Sequence, residues 1–250
     1  MNAAVWRVEW RRLWVRPFAW TLAAATLAWL GWQFTLLLGQ FLDNQVRLAA
    51  LADGPGYTDL VAVPLLAQLA QLALLVVPLM SMQSIAGERR HGTLPLWFGA
   101  GVSPTRMVLG KYGAILAWLM IWLGLCLLMP LALSGATTPD WGKLAAATLG
   151  LALTLATLAA IGVACSAFAS HPALAAAASL VVTLMLWEAN RGAQAAGELG
   201  GLINWLALPS HLQPMWRGLV STTDVAWFVI VIVVALVLAI RRVAAERVRG

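Results

Sequence analysis

The sequence predicts an all-α integral membrane protein with six transmembrane helices. Of its 250 residues, 62% are hydrophobic and only 10% are charged, and the mean hydropathy is +0.84. Soluble domains usually carry about 25% charged residues, so this composition cannot cover a water-facing surface and indicates lipid as the main solvent. Six apolar runs, each near the roughly 20 residues that a spanning helix needs, support this prediction. No soluble module remains, so we expect a single transmembrane domain over 1–250.

Residues 1–16 are too polar to span a membrane but have a helical pattern. Trp6, Trp10, Leu13 and Trp14 follow i, i+4, i+7, i+8 spacing, and the arginines fall on other faces. This pattern predicts an amphipathic interfacial helix with tryptophans inward and arginines toward lipid phosphate. The alternative is an ordinary positively charged flank of the first span.

The predicted spans follow one another with short connections. A break rather than one long helix is expected between the fourth and fifth spans, because Pro172 has no amide donor and a fixed φ. The six spans are 18–42, 60–84, 108–133, 143–168, 172–190 and 223–241.

The connection over 191–222 is the longest predicted external segment. It mixes glycines and prolines with apolar pieces such as 202–206, so it is too interrupted to span and too apolar for a free loop. We expect short, partly re-entrant helices in the outer leaflet, where irregular backbone must be buried in protein or face water.

Basic residues predict the orientation. Of the sixteen lysines and arginines, only Arg47, Lys143, Arg191 and Arg217 fall on the side opposite the amino terminus, which leaves twelve on the amino-terminal side. Because cytoplasmic loops are enriched in Lys and Arg, both termini are expected in the cytoplasm. The basic charges are spread over these short segments, so we expect contact with membrane lipids and no nucleic-acid partner.

The most informative loop is predicted over 85–107. A span ends at opposite charges around Glu88, and Gly92 interrupts the chain. Thr93 is predicted to cap a short helix. That helix carries Leu94, Leu96, Trp97 and Phe98.

The same loop ends at Ser103-Pro104, a pattern typical of a helix start that leads into the third span. An exposed apolar helix is costly unless something covers it. From the residues alone, the short helix either docks on a partner protein or lies on the membrane surface, and both alternatives stay open.

This loop resembles the cytoplasmic loop of ABC-2-type transporter permeases, which docks on the nucleotide-binding subunit. The resemblance rests on Glu88, Gly92-Thr93-Leu94, Pro104 and Gly110-Lys111, in that order. The sequence departs from the family at Arg89-Arg90, where another acid is frequent, and at Pro95-Leu96-Trp97, where a Glu-rich helix is usual. The resemblance implies ATPase-coupling residues at Glu88, Arg89, Gly92, Thr93, Leu94, Leu96, Trp97 and Pro104.

A second resemblance lies near the carboxyl terminus. Ser210, Gly218, Asp224 and Phe228 have the spacing of the closing segment in the GldF/NosY-like subgroup, the permeases of gliding motility and nitrous-oxide-reductase maturation. The family resemblance implies a bacterial inner-membrane location, two copies of an ABC ATPase subunit, and a second permease copy or a homologous permease. The subgroup adds a GldG-like or other periplasmic partner.

The sequence contains no G-x-x-x-x-G-K-[ST] phosphate-binding loop, because Gly110-Lys111 is followed by Tyr112 and lacks the upstream glycine. We therefore expect no cofactor on this chain, with ATP and Mg bound by a partner ATPase. The expected function is an ABC transporter permease that couples ATP hydrolysis elsewhere to export or force transmission, and is itself no enzyme. The alternative is a non-transporting scaffold that anchors periplasmic proteins.

Four glutamines lie inside the apolar runs: Gln33 and Gln40 in the first span, Gln68 and Gln71 in the second. Each pair shares a helix face. They either line a substrate pathway or a dimer interface, or form ordinary helix–helix hydrogen bonds. The three histidines fall on different loops, so no shared metal site is expected.

Overall fold

The computed structural model describes residues 3–15, 17–49, 54–195 and 200–249, and every regular element in these ranges is helical. A short π-helical turn over Thr58–Ala62 leads directly into α3. The α-helices are Ala3–Val15 (α1), Pro17–Ala49 (α2), Val63–Ser81 (α3), Ala86–Arg90 (α4), Leu94–Gly99 (α5), Pro104–Ala132 (α6), Trp141–Phe168 (α7), Pro172–Ala195 (α8), Gly200–Leu206 (α9), Leu208–Trp216 (α10) and Thr222–Arg249 (α11).

Six helical segments are long and apolar enough to cross a membrane. They comprise α2, the run from the π-helical turn through α3 to the end of α4, α6, α7, α8 and α11. The predicted all-α, six-span membrane architecture is confirmed. Several helices extend past the predicted apolar limits, and α11 reaches Arg249 although its apolar run was predicted to end at 241.

Helix α7 lies at the centre and contacts α3, α6, α8, α10 and α11. Its small residues allow this close packing. At the tightest point, a Cβ atom built on Gly162 would lie 2.0 Å from Ser81 Oγ of α3. The predicted break before Pro172 is confirmed, since Ala169 has an extended backbone between α7 and α8.

Residues 3–15 form the predicted amino-terminal helix, but α1 packs on α6 rather than only against lipid. Val5 is buried, and its Cγ1 would lie 2.8 Å from a Cβ atom on Gly110. Arg7 and Arg11 are exposed as expected. The prediction that all the arginines face lipid phosphate is wrong for Arg12, which pairs with two acidic side chains of the protein. Residues 1, 2 and 16 lie outside the described residues.

The predicted external segment contains the short helices α9 and α10, while residues 196–199 lie outside the described residues. His211 of α10 connects α9 to the start of α11. His211 Nε2 donates to the Trp205 carbonyl at 2.8 Å, and Nδ1 lies 2.8 Å from Asp224 Oδ1. The imidazole also stacks on Trp227, with 4.6 Å between ring centroids. These contacts fix α9 and α10 against the start of α11.

Candidate functional site

The predicted loop forms a compact helical hairpin, the α4–α5 hairpin, over residues 86–99. Gly92 has a φ of +65°, a conformation that glycine adopts without the steric cost of a side chain. The chain therefore reverses between α4 and α5. The Thr93 amide donates to the Glu88 carbonyl at 3.0 Å and closes the turn.

The Glu88 carboxylate is the centre of the hairpin and is only 4% exposed. Its Oε1 lies 2.5 Å from Arg12 Nη1 and 3.2 Å from Lys111 Nζ. Its Oε2 accepts from the Thr93 hydroxyl and, at 2.9 Å, from Trp97 Nε1. Two cations and two neutral donors thus satisfy an ionised carboxylate that burial alone would destabilise.

Glu9 completes a network of two acids and two bases. Its Oε1 lies 2.6 Å from Lys111 Nζ and 3.1 Å from Arg12 Nη1. The Glu88 network, consisting of Glu9, Arg12, Glu88 and Lys111, therefore joins α1, α4 and α6. Burial lowers the pKa of Arg12, but the hydrogen bonds and charges of Glu88 and Glu9 outweigh this effect and raise it overall.

Lys111 is the most deeply buried member of the network, with 1% of its surface exposed. Besides its two carboxylate partners, its ammonium lies 5.8 Å from the Trp97 ring centroid. A cation at this distance from an indole is attracted to the ring. Trp97 consequently holds α5 to both Glu88 and Lys111.

Arg89 points away from the Glu88 network. Its guanidinium donates to the Ala169 carbonyl and, at 2.8 Å, to the Ala167 carbonyl, both at the carboxyl-terminal end of α7. It also pairs with Glu246 of α11 at 2.6 Å. Backbone carbonyls at a helix end lack intrahelical partners and favour a cation. Arg89 thereby links the hairpin to two further transmembrane helices.

Ser166 of α7 is a second link that the sequence did not reveal. Its buried Oγ accepts from the Ile85 amide at 3.0 Å and the Ala86 amide at 2.9 Å. It donates to the Met82 carbonyl at 3.1 Å. One serine thus satisfies the start of α4, and no local pattern distinguishes it from other small residues of a transmembrane helix.

The remaining predicted loop residues differ in burial and in their roles at the helix starts. Thr93 occupies the position before α5, but its hydroxyl binds Glu88 and makes no cap hydrogen bond, so the predicted side-chain cap is wrong. Leu94 is buried, Trp97 is half-buried, and Pro104 begins α6. The predicted cap at Ser103 is confirmed, since its Oγ accepts from the Arg106 amide at 3.4 Å.

Leu96 is the exposed apolar residue of the hairpin, with 70% of its surface accessible. Arg90, His91, Pro95 and Ala100 are also exposed in this part of the chain. The hairpin therefore presents an exposed leucine together with the exposed cation of Arg90. Such a surface complements an apolar pocket with acidic surroundings.

The four glutamines do not join the Glu88 network. Gln33 and Gln68 are half-buried, and Gln40 and Gln71 are exposed. Gln68 Oε1 is buried without a hydrogen-bond partner in the described part of the chain. Within the same residues, no group of three or more His, Cys, Asp and Glu side chains could hold a metal ion.

Residues 52–187 match the sequence profile of a family described as "ABC-2 family transporter protein". The match covers more than half of the chain and includes the whole α4–α5 hairpin with Ser166 and Lys111. No curated protein gives a significant match.

Proposed function

The chain belongs to the ABC-2 transporter family, and we propose that it is the permease subunit of a complex whose ATPase is a separate polypeptide. The sequence lacks a phosphate-binding loop. The sequence has two Gly-Lys pairs: the lysine of Gly110-Lys111 is buried in the Glu88 network, and that of Gly142-Lys143 pairs with Asp59. ATP and Mg would therefore bind to the partner ATPase.

The observation that carries this proposal is the exposed Leu96 on a hairpin that is tied to several transmembrane helices. Trp97 and Glu88 connect α5 to α1 and α6. Arg89 connects α4 to α7 and α11. A nucleotide-driven movement of the partner that displaces α5 would thus be transmitted to α1, α6, α7 and α11. The charged and buried contacts between the hairpin and these helices oppose independent movement.

The coupling residues have two roles in this proposal. Leu96, the exposed leucine of the hairpin, contacts the ATPase directly. Glu88, Arg89, Thr93 and Trp97 are positioning residues, since their polar groups are already occupied by partners within the chain. This assignment differs from what the family resemblance implies, which is that Glu88 itself belongs to the surface that docks on the ATPase.

The proposed complex contains two permease chains and two ATPase copies in a bacterial inner membrane. The second permease is another copy of this chain or a homologous permease. The exposed side chains of Gln40 and Gln71 support interhelical hydrogen bonds to that second chain. The excess of Lys and Arg on the hairpin side supports cytoplasmic termini.

A GldF/NosY-like role with a periplasmic partner is a finer part of the proposal. Its support is the spacing of Ser210, Gly218, Asp224 and Phe228. Asp224 and Phe228 lie at the start of α11, where the His211 contacts organise the external segment. That ordered segment would be the surface offered to a periplasmic protein.

The test is purification of the tagged chain from its native membranes, with mass spectrometry of the associated proteins. We expect an ABC ATPase with a phosphate-binding loop to co-purify, and Leu96→Arg to abolish this association without lowering the thermal midpoint. The matched control is Leu219→Arg, a 65% exposed leucine in the external segment. It should retain the ATPase.

Retention of the ATPase by Leu96→Arg, at the level of Leu219→Arg, would refute docking at this hairpin. A stable complex that contains periplasmic proteins and no ATPase would instead support the scaffold function.

A further inference from the structure

An apolar groove of about 690 Å³ opens between α7, α8 and α11. This volume falls within the roughly 300–1,000 Å³ of ligand pockets. We call it the lateral groove. The described side chains that line it are apolar, apart from the Cys165 thiol, and none is charged.

One wall of the lateral groove is a single stripe of α8. Leu174, Ala178, Val182 and Leu186 line it, one residue in every four. At 1.5 Å per residue the stripe is about 18 Å long, more than half of the roughly 30 Å hydrocarbon core. The groove is therefore long and narrow, and its length lies along the helix axes.

The wall formed by α11 connects the lateral groove to positive charge. Its stripe ends at Leu238, and the same helix face continues one turn later to Arg241 and Arg242. The Arg242 guanidinium carbon lies 5.9 Å from the ring centroid of Phe168, which lines the groove. Arg241 is exposed.

Acidic charge at this end is limited. Glu246 lies 3.4 Å from Arg242 but is shared with Arg89 at 2.6 Å. His171 lies in the loop before α8 and is also exposed. The end of the groove near Phe168 thus keeps a net positive charge, whereas Trp205 and Trp227 line the opposite end.

We propose that the lateral groove binds an acyl chain of an anionic phospholipid from the surrounding bilayer, with the phosphate beside Arg241 and Arg242. The apolar walls suit a hydrocarbon chain, which packs against them through dispersion contacts. The two arginines supply the charge that an anionic headgroup needs. The proposal uses the orientation given under the proposed function, which places this lipid in the cytoplasmic leaflet.

Charge also distinguishes a lipid from a second copy of the chain as the occupant. In a two-fold interface the same surface of both copies meets. Grooves facing each other in this way would bring two pairs of Arg241 and Arg242 to one level of the membrane. Like charges at an interface disfavour association, whereas an anionic lipid neutralises them.

The experiment uses the full chain in vesicles that contain phosphatidylglycerol with a photoreactive diazirine in its acyl chain. After irradiation, mass spectrometry should locate lipid adducts in the α8 and α11 stripes. Ala178→Phe fills the groove and should lower this labelling several-fold. Ala177→Phe is the matched control, because Ala177 is exposed on α8 and does not line the groove.

A second arm tests the headgroup with a phosphatidylcholine analogue that carries the same diazirine. Phosphatidylglycerol should label the groove several-fold more strongly, and Arg241→Gln should reduce that preference. Arg247→Gln removes an exposed arginine on another face of α11 and should leave it intact. Equal labelling of the Ala178→Phe and Ala177→Phe variants, or equal labelling by both lipids, would overturn the proposal.

Covalent dimer formation through Val182→Cys would also overturn it, because it would place a second copy in the groove. The assay needs no ATPase, so its result is independent of ATPase docking. Lipid adducts in a chain that binds no ATPase would contradict the proposed function and leave the lipid site standing.

Discussion

Lys111 and Glu88 form an ion pair in which both side chains are almost fully buried, with 3.2 Å between Nζ and Oε1. Taking two charges out of water is costly, and mutual attraction offsets that cost only when the remaining donors and acceptors are also satisfied. Here Glu9 and Arg12 supply that satisfaction. The pair therefore depends on α1, and the amino-terminal helix is thereby tied to the α4–α5 hairpin.

We expect Lys111→Met to destabilise the protein strongly. The substitution keeps most of the side-chain volume but leaves the carboxylates of Glu9 and Glu88 with Arg12 as their shared cation. Breaking a buried ion pair by removal of one partner costs about 3–5 kcal/mol. Thermal unfolding in detergent should show a clearly lower midpoint.

The control for this loss is Lys143→Met, because Lys143 pairs with Asp59 at a partly exposed site. An exposed pair contributes about 0–1 kcal/mol. In a double-mutant cycle, Glu88→Gln combined with Lys111→Met should cost less than the sum of the single changes. Equal losses in Lys111→Met and Lys143→Met would contradict the assigned burial.

The second prediction concerns Ser166. Ser166→Ala removes one oxygen but leaves the buried amides of Ile85 and Ala86 without an acceptor. Each unsatisfied buried donor costs about 1–3 kcal/mol. We expect a lower thermal midpoint and faster tryptic cleavage at the exposed Arg90, since the start of α4 loses its anchor.

Ser170→Ala is the comparison for this experiment, because Ser170 is exposed in the loop that follows α7. It should change neither the midpoint nor the cleavage rate. An Arg90 cleavage rate that is the same in Ser166→Ala and the unmodified chain would show that Ser166 does not hold the hairpin.

The six spans were predictable because apolar length is a local property of the sequence. The end of α11 was not predictable from apolar length, because the helix continues into polar sequence. There Arg242 and Glu246 pair across one helical turn at 3.4 Å. An apolar run marks the membrane core rather than the end of a helix.

The candidate functional loop was predictable in position but not in geometry. The motif pointed to Glu88, but the partners that bury it, Arg12 and Lys111, are 76 and 23 residues away. No periodicity within the loop reveals such partners. Ser166 lies 80 residues from Ala86, and its role follows only from the contact between α7 and the start of α4.

The third prediction concerns the contact between α3 and α7. A methyl group on Gly162 would lie 2.0 Å from Ser81 Oγ and 2.7 Å from Ser81 Cβ. Neither helix backbone can yield without disturbing its neighbours, because α7 is packed on several sides. Gly162→Ala should therefore destabilise the protein by about 1–3 kcal/mol, the usual cost of overpacking, with a matching fall in the thermal midpoint.

Gly124→Ala is the matched control, since a Cβ atom on Gly124 of α6 would meet nothing within 4 Å. Replacing this helical glycine should be neutral or slightly stabilising. Ser81→Gly combined with Gly162→Ala should recover most of the lost stability, because it removes both clashing atoms. If Gly162→Ala is as stable as Gly124→Ala, α3 and α7 do not approach as closely as the Ser81 contact requires, and the tight packing of the central helix would have to be revised.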